Sequence, residues 1–267
     1  MDDCVSEVEI EPRELLGSFQ RPLFFPRYRP RASGAWTLHV VPMLAARGYW
    51  GEVYPLRGAV ILKGPSAGGP QSWMAMLPSE IESQEVGLSG ACGHTAVLGL
   101  GMGWLAANVA LRPEVERVSV VERDPEIIEL ARASGVFEQL PEAARRKIAV
   151  VQADALDWVP STPVDCLQAD IWLTLAEDGK LEAVRRMQSN VRARHLYFWG
   201  QEMEIWRHAC RRANGSPPDL DWPTLRSIVD DDLQLPLIMP EWPDYPRKIG
   251  AAARWWTPAR DGWWRSG

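Results

Sequence analysis

Short apolar runs alternate with amphipathic segments through the middle of the chain. The runs with strand character are 95–100, 118–121, 147–151, 164–169 and 195–199. Helical periodicity falls between them, at 104–111, 125–134 and 180–189. Each such helix returns the chain to the same edge of a sheet, so this alternation produces parallel strands. The pattern predicts an α/β fold with a doubly wound, mainly parallel sheet.

Glycines mark the junction between the first of these strands and its helix. Gly99, Gly101 and Gly103 alternate there, and without Cβ atoms the backbone can turn sharply and approach a ligand. Glu122 ends the next strand about twenty residues further on, where a carboxylate binds ribose hydroxyls. These features favour an adenosine-containing cofactor, with Glu122 as the main binding residue. The alternative is a glycine turn that is only structural.

Further candidates follow from the rule that ligands bind at the carboxyl ends of parallel strands. Asp154 and Asp170 come directly after predicted strands, and Glu202 and Glu204 follow the last one. The two glutamates could line an acceptor pocket or form a polar helix face. Asp124, which precedes Pro125 and Glu126, has the pattern of a helix N-cap.

The N-terminal third has a different pattern. Thr37–Val41 and Gly58–Leu62 are short apolar runs between turn residues, which indicates a small β-rich element. Ser79–Glu82 has the form of a capping box at the start of a linking helix. We expect three parts: an irregular arm rich in Pro and Arg at 1–34, the β-rich element and helix at 35–90, and a cofactor-binding domain with a Trp-rich end at 91–267.

Four segments resemble the core of spermidine synthase-like proteins of the class I methyltransferase fold: 97–106, 121–126, 152–155 and 164–170. The likeness covers roughly residues 71–200, which is a domain-sized stretch. It implies a Rossmann-like fold and either S-adenosylmethionine or decarboxylated S-adenosylmethionine as cofactor. It also implies that the glycine turn, the ribose-binding acid and an Asp-Ala pair beside adenine contact that cofactor. The matching residues are Gly99, Gly101, Gly103, Glu122, Asp154 and Ala155.

The chain departs from aminopropyltransferases at two points. Its glycine turn lacks the acid of their Gly-Gly-Gly-Asp-Gly sequence, and Leu173 replaces their second strand-end Asp. We therefore expect methyl transfer to an unidentified small acceptor, with aminopropyl transfer as the alternative. Methyl transfer requires alignment and, for an amine or hydroxyl, removal of a proton. Asp170 is the candidate catalytic carboxylate, and capping of the following loop is its structural alternative.

Two other functions remain open. Residues 101–106 also fit the Gly-x-Gly-x-x-Ala pattern of nicotinamide dehydrogenases, although these do not need acids such as Asp154 and Asp170. A binding or assembly subunit that has kept the fold without catalysis is the other possibility. Seven of the 14 tryptophans lie beyond Trp199, and rings of this kind fill cores or interfaces. We expect a homodimer, if one forms, to use the N-terminal element or this Trp-rich end.

Composition restricts the partners. The net charge is −6 and the chain has no long Lys/Arg tract, which argues against nucleic acid. An acidic N-terminus and the lack of a long apolar run predict a cytoplasmic protein that does not enter membranes. The four cysteines and four histidines show no ligand spacing, so we expect no metal.

Overall fold

The computed structural model describes residues 19–66, 69–215 and 219–257. Residues 1–18 of the expected arm, and Trp263 and Trp264, lie outside the described residues. The strands are β1 (Arg31–Ser33), β2 (Trp36–Arg47), β3 (Val53–Gly64), β4 (Gln71–Ala75), β5 (Gly93–Leu98), β6 (Val115–Glu122), β7 (Ile148–Gln152), β8 (Cys166–Ala169) and β9 (His195–Phe198). The helices are α1 (Pro78–Ser89), α2 (Trp104–Leu111), α3 (Pro125–Ser134), α4 (Glu142–Arg145), α5 (Lys180–Val191), α6 (Gln201–Ala213), α7 (Trp222–Ser227) and α8 (Tyr245–Trp256), with a π-helical turn at Ile228–Leu233.

Strands β5 to β9 form a five-stranded parallel sheet in the order β7-β6-β5-β8-β9. The order reverses between β5 and β8, and ligands of open α/β sheets bind at such a point. The predicted fold class is confirmed. The bounds predicted for α2 and α3 are also confirmed, because Gly103 and Asp124 begin these helices. Asp124 accepts a hydrogen bond from the Glu126 N–H at 2.8 Å, as its N-cap pattern predicts.

The N-terminal element is a four-stranded antiparallel sheet in the order β1-β2-β3-β4. The expectation of an irregular arm up to residue 34 is wrong at its end, because Arg31–Ser33 pairs with β2. The preceding residues 19–30 have no regular structure and lie against α2. The Tyr28 hydroxyl donates to the Met102 carbonyl, and Trp104 Nε1 donates to the Phe24 carbonyl, each at 2.8 Å.

The capping box predicted at Ser79–Glu82 is wrong. Helix α1 begins at Pro78, its N-cap is Leu77, and no side chain caps it. Glu82 is 2% exposed and accepts hydrogen bonds from Arg21 at 2.7 Å and from the Trp50 N–H at 3.3 Å. These contacts with distant parts of the chain replace the local bond that the pattern predicted.

The Trp-rich end, as far as residue 257, packs against the N-terminal sheet of the same chain. Trp256 Nε1 donates to the Tyr49 carbonyl at 2.8 Å. The ring of Trp242 lies 6.1 Å from Trp50, and the guanidinium of Arg47 lies 3.5 Å from the ring of Trp255. These described tryptophans therefore join residues 242–256 to the end of β2 and the turn that follows it.

Candidate functional site

A cavity of about 340 Å³ lies between the two sheets. Its floor is formed by the carboxyl ends of β5 to β9 and the loops after them. Its roof comes from the N-terminal sheet and α1. The roof side chains include Trp73, Met74 and Met76. Other lining residues are Gly99, Gly101, Glu122, Asp124, Asp154, Ala155, Asp170, Trp172 and Trp199.

Atoms of other segments lie close to the glycine turn on both sides. Gly99 has φ +97°, and a Cβ there would lie 2.0 Å from the carbonyl oxygen of Asp170. A Cβ at Gly101 would lie 2.3 Å from Met74 Sδ. Gly103 is not among the cavity-lining residues, and its Cβ would meet Val136 instead. Gly99 and Gly101 therefore belong to the cavity, whereas Gly103 begins α2.

Glu122 connects the glycine turn to the next turn. Its carboxylate accepts the Leu100 N–H at 3.1 Å and the Asp124 N–H at 2.9 Å. Asp124 in turn accepts Trp36 Nε1 of β2 at 2.8 Å. A carboxylate has about four acceptor positions, so Glu122 keeps capacity for hydroxyl donors in the cavity.

The loop after β7 contributes Asp154 and Ala155. Asp154 accepts the Leu156 N–H at 2.8 Å through its side chain and is otherwise exposed. Ala155 is 7% exposed and forms part of the cavity wall. The cofactor candidates other than Gly103 therefore line one cavity together with Asp170.

Asp170 lies at the end of β8, and its environment differs from that of Glu122. Burial raises its pKa to about 6, which nearby Lys180 and a hydrogen bond from Gln84 partly oppose. Gln84 Nε2 donates to Asp170 Oδ2 at 2.7 Å. No backbone N–H among the described residues donates to the Asp170 carboxyl, so the loop-capping alternative is not observed there.

Two residues near Asp170, Gln84 and Lys180, were not predicted from the sequence. Glu80 and Gln84 on α1 line the cavity, and burial together with the charge of Asp170 raises the pKa of Glu80. The buried Lys180 ammonium donates to the carbonyls of Thr174 at 2.9 Å, Leu175 at 3.1 Å and Trp199 at 2.8 Å. Lys180 is the first residue of α5, where a cation opposes the helix dipole. A cation at this unfavourable position was a sequence signal that other parts of the chain bind the Lys180 side chain.

Glu202 and Glu204 do not line the cavity. Glu202 is fully buried and accepts hydroxyl donors from Tyr49 at 2.8 Å and Tyr245 at 2.7 Å. Glu204 is also buried and pairs with Arg207 at 3.1 Å. The polar-face alternative is therefore wrong as well, because both glutamates lie in the interior.

Two findings concern other classes of site. Within residues 19–66, 69–215 and 219–257, no group of three or more His, Cys, Asp or Glu side chains is arranged to hold a metal ion. In the same part of the chain, no helix combines the length and apolar character needed to cross a membrane.

The fold is that of a Rossmann-like α/β protein, with a cavity where the strand order reverses. No protein-family model matches the chain, and no curated protein matches it either. Solved structures with partial likeness include the methyltransferase domain of bacterial CtHen1, with 16% identity and a TM-score of 0.35 over 44% of this chain and 65% of that one.

Two further structures show similar partial likeness. The complex of DhpI with SAM and HEP has 20% identity and a TM-score of 0.32 over 44% of this chain and 50% of that one. A dimethyladenosine transferase from Plasmodium falciparum has 18% identity and a TM-score of 0.29 over 36% of this chain and 32% of that one. The matched part thus spans less than two thirds of each of these structures.

Proposed function

We propose that the protein transfers the methyl group of S-adenosylmethionine to a small acceptor. One observation carries this proposal: five of the six cofactor candidates and Asp170 line a single cavity at the carboxyl ends of parallel strands. Glu122 keeps free acceptor positions at the place where a ribose would lie.

The cavity residues would have two roles, which are cofactor binding and proton transfer. Glu122 would accept the ribose hydroxyls, Asp154 and Ala155 would flank adenine, and Gly99 and Gly101 would give the backbone room beside the rest of the cofactor. When bound, S-adenosylmethionine supplies an electrophilic methyl group. Asp170 would take the proton of the acceptor, since a carboxyl with a pKa of about 6 is substantially ionised near neutral pH and can act as a base.

Calorimetric titration with four ligands tests the cofactor. S-adenosylmethionine and S-adenosylhomocysteine should bind with micromolar affinity, roughly −8 kcal/mol, and NAD should not bind. Binding of NAD alone would overturn the proposal in favour of a dehydrogenase. Binding of none of the four would favour a non-catalytic subunit whose glycine turn is structural.

Aminopropyl transfer is the second candidate, and the antiparallel N-terminal sheet favours it. The sequence of this element resembles the short N-terminal β element of aminopropyltransferases, and its sheet supplies the cavity roof. Against it stands Leu173, which replaces the second acid of that family. Decarboxylated S-adenosylmethionine is the fourth ligand of the titration, and tighter binding of this ligand would favour aminopropyl transfer.

A further inference from the structure

The loop between β8 and α5, residues 170–179, forms one end of the cavity. Asp170 and Trp172 of this loop line the cavity, as does Trp199 after β9. Lys180 follows the loop directly, and its buried ammonium donates to two loop carbonyls and to the Trp199 carbonyl. One side chain therefore joins the loop to the end of the neighbouring strand.

The Lys180 ammonium also contacts two aromatic rings of the cavity wall. Its nitrogen lies over the Trp172 ring, 4.7 Å from the ring centre, and over the Trp199 ring at 5.0 Å. A cation is attracted to the face of an aromatic ring, and this attraction is stronger where water is excluded. Lys180 therefore acts on Trp172 directly as well as through the backbone of the loop.

The backbone after β9 lies close to the loop. Gly200 has φ +87°, and a Cβ there would lie 2.3 Å from the Leu175 carbonyl oxygen and 3.1 Å from Lys180 Nζ. Trp199 Nε1 donates to Ser83 Oγ of α1 at 3.0 Å. The loop carbonyl that Lys180 binds thus packs against a junction that is itself bonded to the helix in the cavity roof.

We propose that Lys180 is a positioning residue, whose ammonium holds the β8–α5 loop so that Trp172 forms the cavity wall beside Asp170. The inference rests on the proposed function, since the methyl acceptor would bind against this wall. An ammonium group has three N–H donors, which match the three carbonyls. A neutral amine has two, so its formation would leave one buried carbonyl without a donor, which is unfavourable.

Ionisable groups of the loop, α1 and α6 lie near the Lys180 ammonium. They are Asp170, Glu177, Glu80, Glu204 and Arg207. Burial lowers the pKa of Lys180 from 10.5 to about 8, although the carboxylates of Asp170, Glu204 and Glu177 oppose this shift. As the pH rises through about 8, the loop should lose one of its three bonds to Lys180. The environment of the Trp172 ring should therefore change over the same range.

Fluorine NMR of protein labelled with 5-fluorotryptophan tests this dependence. The Trp172 resonance is identified by its loss in Trp172→Phe. In the unaltered protein it should shift with a midpoint at about pH 8, and Lys180→Met should abolish the titration. Lys147→Met is the matched control and should keep the titration, since Lys147 donates to the Arg112 carbonyl at 3.0 Å and does not line the cavity. A resonance that does not shift, or a shift that persists in Lys180→Met, would overturn the inference.

Glu80→Gln keeps the test decisive if Lys180→Met does not fold. Burial and the charge of Asp170 raise the pKa of Glu80 well above its ordinary value, so this carboxyl is the rival source of a shift at Trp172. Glu80→Gln removes that source and should leave the midpoint of the unaltered protein unchanged. Loss of the titration in Glu80→Gln would assign it to Glu80 and overturn the role of Lys180.

Calorimetric titration with S-adenosylhomocysteine separates this inference from the proposed function. Lys180→Met should change the affinity by about threefold or less, because the cofactor candidates Glu122 and Asp154 lie at the ends of other strands. A larger loss would assign the wall to the cofactor and overturn its assignment to the acceptor. If the unaltered protein does not bind S-adenosylhomocysteine, the proposed function fails, whereas the Trp172 resonance still decides whether Lys180 positions the loop.

Discussion

The two ends of the cavity use carboxylates in opposite ways. At the carboxyl ends of β6 and β7, Glu122 and Asp154 accept backbone N–H groups of nearby turns. At the end of β8, the one hydrogen bond that the Asp170 carboxyl accepts from the described residues comes from Gln84 Nε2, and burial raises the pKa values of Asp170 and nearby Glu80. Glu122 and Asp154 use part of their acceptor capacity on their own turns, whereas the Asp170 carboxyl accepts no backbone N–H from the described residues. A carboxylate at a strand end is thus positioned either by its own turn, as Glu122 is, or by a side chain from a distant helix, as Asp170 is.

Gly99→Ala should have the largest effect, because Gly99 joins the two ends. The new Cβ would collide with the Asp170 carbonyl, and φ +97° is unfavourable for alanine. We expect the free energy of unfolding, measured by urea denaturation, to fall by at least about 3 kcal/mol. Gly179→Ala is the control, since Gly179 has φ +77° but no atom within 4 Å of its Cβ position. That variant should lose about 1 kcal/mol. Equal losses would contradict the close approach at Gly99.

Asp170→Asn should stabilise the protein at high pH. Folding raises the pKa of Asp170 from 3.8 to about 6, so its contribution to stability is complete below pH 3.8 and is lost as the pH rises through about 6. Asparagine resembles the protonated form and avoids this loss. We expect a gain in the free energy of unfolding of about 2 kcal/mol at pH 8, after a discount for solvent in the cavity, and little gain near pH 4. The same gain at both pH values would exclude titration of Asp170 as the cause.

Glu122→Gln tests the opposite end through ligand binding. The amide keeps one acceptor oxygen but turns an N–H group towards either the Leu100 or the Asp124 N–H. Affinity for S-adenosylhomocysteine should fall by about tenfold in calorimetric titration. Glu116→Gln changes the same residue type at an exposed position of β6 and should have no effect. Unchanged affinity in Glu122→Gln would remove Glu122 from the binding site.

Asp154→Asn should have the smallest effect. Its side-chain oxygen can still accept the Leu156 N–H, and the exposed carboxylate is screened by solvent. The same titration should show a change of about threefold or less. A loss as large as that of Glu122→Gln would show that the charge of Asp154 matters to binding and would break the proposed ranking.

Features that depend on neighbouring residues could be predicted from the sequence. Gly103 and the Asp124–Pro125 pair gave the correct bounds of α2 and α3, because their effects involve neighbouring residues. The positions of Glu122 and Asp154 at the carboxyl ends of strands, where they line the cavity, were likewise predicted from the sequence. In each case the signal lies within a few residues of the feature it controls.

Long-range contacts account for what could not be predicted. Glu82 fits a capping pattern. Its carboxylate nevertheless binds Arg21 and the Trp50 N–H, and it does not cap the N-terminus of α1. Gln84 contacts Asp170 although 86 residues separate them in the sequence, so no local pattern predicts this contact. Such contacts depend on how α1 docks against the parallel sheet, which spacing along the chain does not encode.

The two sheets are encoded in separate, uninterrupted stretches of the chain. The antiparallel sheet is contained in residues 31–75 and the parallel sheet in residues 93–198. Roof side chains such as Met74 and Trp73 can therefore diverge, or be exchanged as a single genetic cassette, without altering the strand ends that carry Glu122 and Asp154. Recombination at the α1 boundary would replace the residues of the N-terminal sheet that cover the cavity and leave the strand ends of the parallel sheet unchanged.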